Sequence, residues 1–236
     1  MKNCILTGDC MEIMSTIPDG SIDLCIVDPP YNVNYQYNRY NDNLSFKDYL
    51  QWQLSVLKEV ERVLKLKGSI FYLNYPEFNS HIYCSLEMDF NLKPIEIITW
   101  VYNTHTGGKI LRKASRTWIW ASKGKPINKF KGSYRNPNDK RIKKLIAEGR
   151  RPKAYDWWLY EQVKNVSKEK TEHPCQLPVA MLKYIIESTT NQGDIVLDPF
   201  AGSCTTADAC VQLNRKYIMI ENDEMYCEIG IKRLNL

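Results

Sequence analysis

Histidine is scarce in this chain and never clustered. His81, His105 and His173 are the only three in 236 residues, and none of the eight cysteines belongs to a C-x-x-C pair. Structural zinc needs several such ligands at short spacings, so no metal is expected. Cys4, Cys10, Cys25, Cys84, Cys175, Cys204, Cys210 and Cys227 fall largely in apolar patterns. That is how reduced thiols pack in a cytoplasmic protein. Long apolar runs are also missing, which argues against a membrane span. The opening MKNCILTGDCMEIM reads as a short strand and then a helix, without the apolar stretch of a secretory signal. There is no internal repeat and no low-complexity tract.

What remains is ordinary in bulk and uneven in detail. An apolar share of 44% with 25% charged residues suits one globular α/β domain with an insertion rather than a disordered chain. The net charge is +5, yet residues 105–172 hold 19 Lys/Arg against 6 Asp/Glu, while the rest holds 13 against 21. A solvated charged loop fits that asymmetry, and so does a phosphate-binding surface.

Apolar runs bounded by turn residues predict strands at Cys4–Thr7, Ile22–Val27, Ser69–Asn74, Ile95–Tyr102, Thr117–Ala121, Ile195–Leu197 and Tyr217–Ile220. Helical spacing predicts a helix over Phe46–Leu66, with Leu50, Leu54, Leu57 and Leu64 on one face. Others are predicted near Asn138–Glu148 and over Pro178–Ser188, Thr205–Leu213 and Asp223–Leu234. Alternating strands and helices imply a Rossmann-like, doubly wound sheet of seven mostly parallel strands covered on both faces. The 95–102 and 117–121 strands, with no helix between them, are expected to pair antiparallel at one edge. The core is expected over 1–123 and 174–236. Residues 124–173, rich in Lys, Arg, Asn, Gly and Pro and carrying Tyr134, Tyr155, Trp157, Trp158 and Tyr160, form a basic insertion.

Chemistry concentrates at strand ends. Asp28-Pro29-Pro30-Tyr31 follows the second strand. Two prolines end the ladder there, at the carboxyl edge where open α/β sheets bind ligands. The tetrapeptide offers a carboxylate, a rigid carbonyl and an aromatic face, which is what a planar base with an NH2 group needs. A plain proline turn has the same sequence. Asp198-Pro199-Phe200-Ala201-Gly202-Ser203-Cys204-Thr205-Thr206 is a strand, a small-residue loop and a helix start, a layout that lets a nucleotide-like ligand approach backbone closely. Glu221 ends the next strand, where an acid can take two ribose hydroxyls or merely cap a helix. His173-Pro174-Cys175-Gln176-Leu177-Pro178 precedes another helix.

In that order the motifs resemble the beta class of DNA amino-methyltransferases of restriction–modification systems, in which D-P-P-Y comes first, a recognition region lies in the middle and the cofactor loop F-x-G-x-G-T-T comes late. The resemblance covers nearly the whole chain and implies a circularly permuted motif order. It implies S-adenosylmethionine as cofactor, no metal, and double-stranded DNA as partner, and it leaves room for a homodimer and a cognate restriction endonuclease. It places Asp28, Pro29, Pro30 and Tyr31 at the flipped base. It places Asp198, Phe200, Ala201, Gly202, Ser203 and Thr205 in the cofactor loop and Glu221 with Asn222 at the ribose. Asp9 and Cys10 fall at the adenine of the cofactor, and His173, Pro174 and Gln176 at its methionine end, with Asp28 also facing the cofactor. The element Arg116–Gly124 resembles the strand before the recognition region. Two positions depart from the pattern. Cys204 stands where the family prefers glycine, adding a Cβ that disfavours positive φ, and Leu177 replaces a lysine.

The activity so implied is methylation of adenine N6, since the family leans to D-P-P-Y for adenine and S-P-P-Y for cytosine N4. Cytosine N4, RNA or protein glutamine methylation, and a non-catalytic nucleic-acid-binding relative are the alternatives. A base inside a duplex must be extruded for this chemistry. The loop Tyr31–Asn43, with four tyrosines and five asparagines, reads as a surface loop or as a lid over the extruded base. Within the insertion, Arg135, Arg141, Arg150 and Arg151 are candidate DNA readers.

Overall fold

In the computed structural model, which describes residues 3–37, 39–106, 110–132, 138–164 and 167–236, the first half of the chain runs β1 (Cys4–Thr7), α1 (Cys10–Ser15), β2 (Ile22–Val27), α2 (Phe46–Val63), β3 (Leu64–Asn74), α3 (Pro76–Asp89), β4 (Lys93–Thr106) and β5 (Lys113–Ser122). The second half runs α4 (Lys140–Ala147), β6 (Trp157–Leu159), α5 (Val179–Thr189), β7 (Ile195–Asp198), α6 (Thr205–Gln212), β8 (Lys216–Glu221) and α7 (Glu224–Leu234). Tyr134 and Arg135 lie outside the described residues, as does the side chain of His105.

β2 dictates the layering. Its residues Leu24, Cys25, Ile26 and Val27 are all fully buried, so both of its faces must be covered. Cys25 and Val27 enter one apolar layer with Met14 of α1, Val56, Leu57 and Val60 of α2, and Ile82 and Leu86 of α3. Leu24 and Ile26 enter the other with Met181, Leu182, Ile185 and Ile186 of α5 and Ala207, Ala209 and Cys210 of α6. Ser45 starts α2 by accepting from the Asp48 amide at 3.2 Å. Pro76 opens α3, where a missing N–H costs nothing. Among the described residues no helix is long and apolar enough to cross a membrane.

The fold class is the one expected, with two corrections inside it. The sheet has eight strands in the order β1-β8-β7-β2-β3-β5-β4-β6, not seven. The additional strand is β6, three residues inside the basic insertion, parallel to β4 through the register Trp100↔Trp158. Its composition reads as loop. What fixes it is aromatic packing, for Trp158 is buried with its ring 5.8 Å from Phe130 and 5.4 Å from Tyr184. The antiparallel strand is also not at the edge, since β5 runs between β3 and β4 and pairs antiparallel with both. A smaller correction concerns α2. It ends at Val63 and buries Tyr49, Gln53, Val56, Leu57, Val60 and Val63. Leu64, expected on the helix, instead begins β3 opposite Ile22.

The function-bearing consequence lies in the middle of the sheet. β2 and β7 are parallel neighbours, with Leu24↔Val196 and Cys25↔Leu197 in register. The helix after β2 packs on one face and the helix after β7 on the other. The two chains diverge there and leave a crevice at the carboxyl ends, which is the topological switch point of an open α/β sheet. Ile26 is buried at this junction, so Ile26→Ala is expected to lower stability by about 2–5 kcal/mol. A urea unfolding curve checks this, and a midpoint unchanged from wild type contradicts it.

Candidate active site

Directly above that crevice, the chain turns through Asp28-Pro29-Pro30-Tyr31. The Tyr31 hydroxyl donates to Asp28 Oδ1, leaving Oδ2 without a hydrogen-bond partner among the described residues. The Pro30 carbonyl accepts from the Tyr49 hydroxyl at 2.6 Å, and Tyr49 is braced in turn by the Asn74 amide at 2.9 Å. Asn74 also donates to the Tyr72 hydroxyl at 3.3 Å, which donates to Gln53 at 2.8 Å. A buried polar chain therefore fixes the turn from beneath, while the Pro29 carbonyl has no donor among the described residues. Burial pushes the Asp28 carboxyl up to about 6, although the Tyr31 hydrogen bond and the Arg116 charge pull the other way.

Across the crevice, β7 delivers Asp198 and the glycine turn. Asp198 accepts from the Thr206 hydroxyl at 2.5 Å and the Phe200 amide at 3.0 Å. Its burial, opposed by those bonds and reinforced by Asp28 and Glu221, raises its carboxyl to about 7. Gly202 has φ 50°, and a Cβ there would lie 2.9 Å from Nε2 of His173, so only glycine fits on both counts. His173 roofs the turn as a neutral imidazole. Its pKa is lowered to about 4 by burial first and then by Lys170 and Arg233. The Glu221 carboxylate accepts from the Gly202 amide at 2.8 Å and the Asp223 amide at 3.0 Å, locking the end of β8 to the turn.

Both loops open into one cavity of about 210 Å³. Asp9, Cys10, Asp28, Pro29, Pro30, Tyr31, His173, Gln176, Asp198, Phe200, Ala201, Gly202, Ser203, Thr205, Glu221 and Asn222 all line it. Pro174 does not, being exposed on the outside of its loop. Two lining residues are also occupied structurally. Asp9 caps α1 by accepting from the amides of Met11 and Glu12 at 2.8 and 3.2 Å. Gln176 braces its own loop, accepting from Thr171 and donating to the Glu169 carbonyl at 2.8 Å. Leu177, at the lysine position, is buried with the α5–α6 layer.

Sequence reasoning missed several walls of the cavity. Trp52 comes from α2, and Tyr37, Arg39 and Tyr40 come from the loop after Tyr31, which the sequence reads as a surface loop or a lid without singling out these residues. That loop is knitted by the buried Asp42 carboxylate, which accepts from the amides of Asn32, Val33 and Tyr35 at 2.7–3.0 Å. Tyr40 stacks on Trp52 at 5.1 Å, and Trp52 meets Phe200 edge-on at 5.8 Å, so the loop lies over the cavity. Arg116, Cys175, Leu182, Asp223 and Tyr226 also line the cavity without being among the predicted site residues. Their signal is not local, since they come from several parts of the chain. Among the described residues no group of three or more His, Cys, Asp or Glu is placed to hold a metal ion.

A crevice at the switch point, walled by buried carboxylates and a glycine turn, marks a Rossmann-like protein with a site for a nucleotide-type ligand. The sequence pattern of the DNA methylase family, the N6 and N4 methylases, matches residues 22–232, and the chain belongs to that family of DNA amino-methyltransferases. It is 33% identical to the type II methyltransferase M.HpaI of Haemophilus parainfluenzae over 236 residues, covering 100% of this chain and 75% of that protein. It is 30% identical to the DNA adenine methyltransferase YhdJ of Escherichia coli (strain K12) over 244 residues, covering 98% of this chain and 82% of YhdJ. The crystal structure of the M1.HpyAVI–SAM complex superposes with a TM-score of 0.66 at 26% identity, covering 97% of this chain and 98% of the other.

The departure at Cys204 has a structural answer. Cys204 adopts the left-handed conformation, φ 55° and ψ 36°, at the start of α6, so the added Cβ is tolerated rather than avoided. Room comes from Gly230 in α7, where a Cβ would strike Cys204 Sγ and lie 2.9 Å from its Cβ. Gly230→Ala should gain about 1 kcal/mol of helix propensity but lose about 1–3 kcal/mol to overpacking. Cys204→Gly should restore space and relieve the left-handed strain of about 1–2 kcal/mol. A double-mutant cycle by thermal unfolding checks this. The expected result is that Gly230→Ala is destabilising alone and harmless with Cys204→Gly, and strict additivity contradicts the pairing.

Proposed function

We propose that this protein transfers a methyl group from S-adenosylmethionine to N6 of an adenine extruded from double-stranded DNA at a specific sequence. The observation that carries the reading is the placement of Asp28 and the free Pro29 carbonyl in the same cavity as the Gly202 turn and Glu221. The cofactor half fits the ligand's chemistry. Gly202 leaves a cradle where no Cβ fits, the Glu221 carboxylate keeps lone pairs for ribose hydroxyls, and Phe200 with Trp52 supplies aromatic walls. The bound cofactor supplies a methyl on a sulfonium, an electrophile that needs no metal.

The remaining work is positional. The amino nitrogen of a base is a poor nucleophile because its lone pair is delocalised into the ring. Asp28 and the Pro29 carbonyl accept its two N–H bonds, which draws the nitrogen toward tetrahedral geometry and aims the lone pair at the methyl. As the N–C bond forms, the sulfonium's S–CH3 bond would break and its electron pair stay on sulfur, leaving neutral S-adenosylhomocysteine; the nitrogen then sheds one proton, which Asp28 takes. A carboxylate whose conjugate acid titrates at about 6 accepts that proton more readily than an exposed one. Tyr31 provides the stacking face, a contact of about 1–3 kcal/mol for a base on an aromatic ring. The loop holding Tyr37 and Tyr40 serves as the lid. Adenine is favoured over cytosine by the aspartate at position 28 and by the kinship with YhdJ.

The basic insertion, residues 124–173, is the proposed sequence reader. Lys140, Arg141, Lys143 and Lys144 on α4, and Arg150 and Arg151 beyond it, are exposed, and no residue of α4 is buried. Such a surface suits phosphate contacts that fix register, with a few side chains left for base edges.

Incubation with methyl-labelled cofactor and plasmid DNA, followed by nucleoside analysis, tests the reading. Labelled N6-methyladenine is expected. N4-methylcytosine would move the target to cytosine, and unlabelled DNA would overturn the reading. Asp28→Ala should lower turnover at least about a hundredfold while cofactor binding persists. Because Asp28 must be ionised to act, wild-type turnover should be full above about 6 and fall as pH drops through it. A flat profile across that range contradicts Asp28 as the acceptor.

A further inference from the structure

Arg116 lines the same cavity, and the transfer reading leaves it without a task. It belongs to β5, whose antiparallel direction brings its early residues to the edge where the parallel strands end. The registers Asn74↔Thr117 and Trp100↔Arg116 set it beside the D-P-P-Y turn. Its guanidinium carbon lies 4.6 Å from the centre of the Tyr31 ring, 5.5 Å from Tyr75 and 5.8 Å from Trp100. Its Nε is buried with no hydrogen-bond partner among the described residues. A buried, unpaired donor is costly, and an arginine retained only for packing would be better replaced by an apolar side chain.

We propose that Arg116 is a positioning residue for methyl transfer: stacked on Tyr31 beside Asp28, its guanidinium fixes the ring that receives the base and keeps the Asp28 carboxylate an anion within the cavity. This rests on the reading of Asp28 as the acceptor of the amine. Few other groups near Asp28 favour its charge. The Tyr31 hydroxyl hydrogen-bonds to it, but Asp198 across the crevice repels it, and Tyr72, Tyr37 and Cys175 around it carry no positive charge. Tyr75, just before α3, and Tyr102 of β4 face the guanidinium. Among the described residues, Arg116 is the cation whose charge counters, in part, the burial of Asp28. Its planar fork also spans two tyrosine rings in a way that a lysine ammonium does not.

The pH dependence of kcat for wild type, Arg116→Gln, Arg116→Lys and Asp28→Ala, with S-adenosylmethionine affinity measured separately, tests the proposal. In Arg116→Gln the acid limb should move up by about one pH unit or more, so the deficit deepens in acid and shrinks in alkali while cofactor affinity is kept. Arg116→Lys should keep the wild-type limb but lose turnover at every pH. A deficit in Arg116→Gln that is equal at every pH overturns the proposal. Should that variant bind no cofactor, the lysine variant decides: a limb held in place supports the proposal, and a limb displaced as far as one pH unit overturns it. An active Asp28→Ala would sink the reading of Asp28 itself. An inactive Asp28→Ala with an unmoved Arg116→Gln limb removes only the role of Arg116.

Discussion

Everything in the site hangs on the parallel pairing of β2 with β7. One short ladder of two residue pairs, Leu24 with Val196 and Cys25 with Leu197, joins segments from opposite ends of the chain. Because β2 is apolar on both sides, it can live only in the middle of a covered sheet. Because the following helices depart to opposite faces, their loops separate just above that pairing and leave a space between them. The proline turn and the glycine turn are thus held on adjacent strand ends by the core itself, without any contact specific to a ligand.

The electrostatics of the space follow from the same closure. Asp28 and Asp198 are carboxyl groups in the walls of one partly closed cavity, and burial raises both. Each is met by a hydroxyl, Tyr31 for one and Thr206 for the other. The antiparallel strand adds what the parallel ones cannot, because it starts where they finish and carries Arg116 to that edge. The glycine turn is equally dependent on its surroundings. His173 leaves no room for a side chain at 202, whereas Gly230 makes room for one at 204. A position that departs from the family's glycine is in this way absorbed by a glycine on the next helix.

Much of this was readable from the sequence, and what was not has a common cause. The strand ends at 28, 198 and 221 announce themselves through continuous apolar runs stopped by proline or acid, which are local signals. Strand adjacency is not local, so the antiparallel strand expected at the edge sits inside the sheet, and β6 was hidden in a stretch whose Lys, Arg and Pro content reads as loop. Arg116 is one of nineteen basic residues between 105 and 172, and nothing in its neighbours distinguishes an inward-facing arginine from a solvated one. The overlap of roles was equally invisible. Asp9 and Gln176 line the cavity, yet both spend hydrogen bonds on capping a helix and bracing a loop. Leu64 fits the helical spacing of α2, yet the chain has already turned into β3 there.

The central claim is that the turn at 28–31 and the turn at 198–206 hold the two reactants side by side. A crystal structure of the protein with S-adenosylhomocysteine and a DNA duplex carrying its recognition sequence tests this most directly. The account predicts an extruded base stacked on Tyr31 with its amino nitrogen within hydrogen-bond reach of Asp28. The cofactor sulfur should face that nitrogen across a gap that a methyl placed about 3–3.5 Å from it would fill. A cofactor seated away from Gly202 and Glu221, or a base bound on another edge of the sheet, would contradict it.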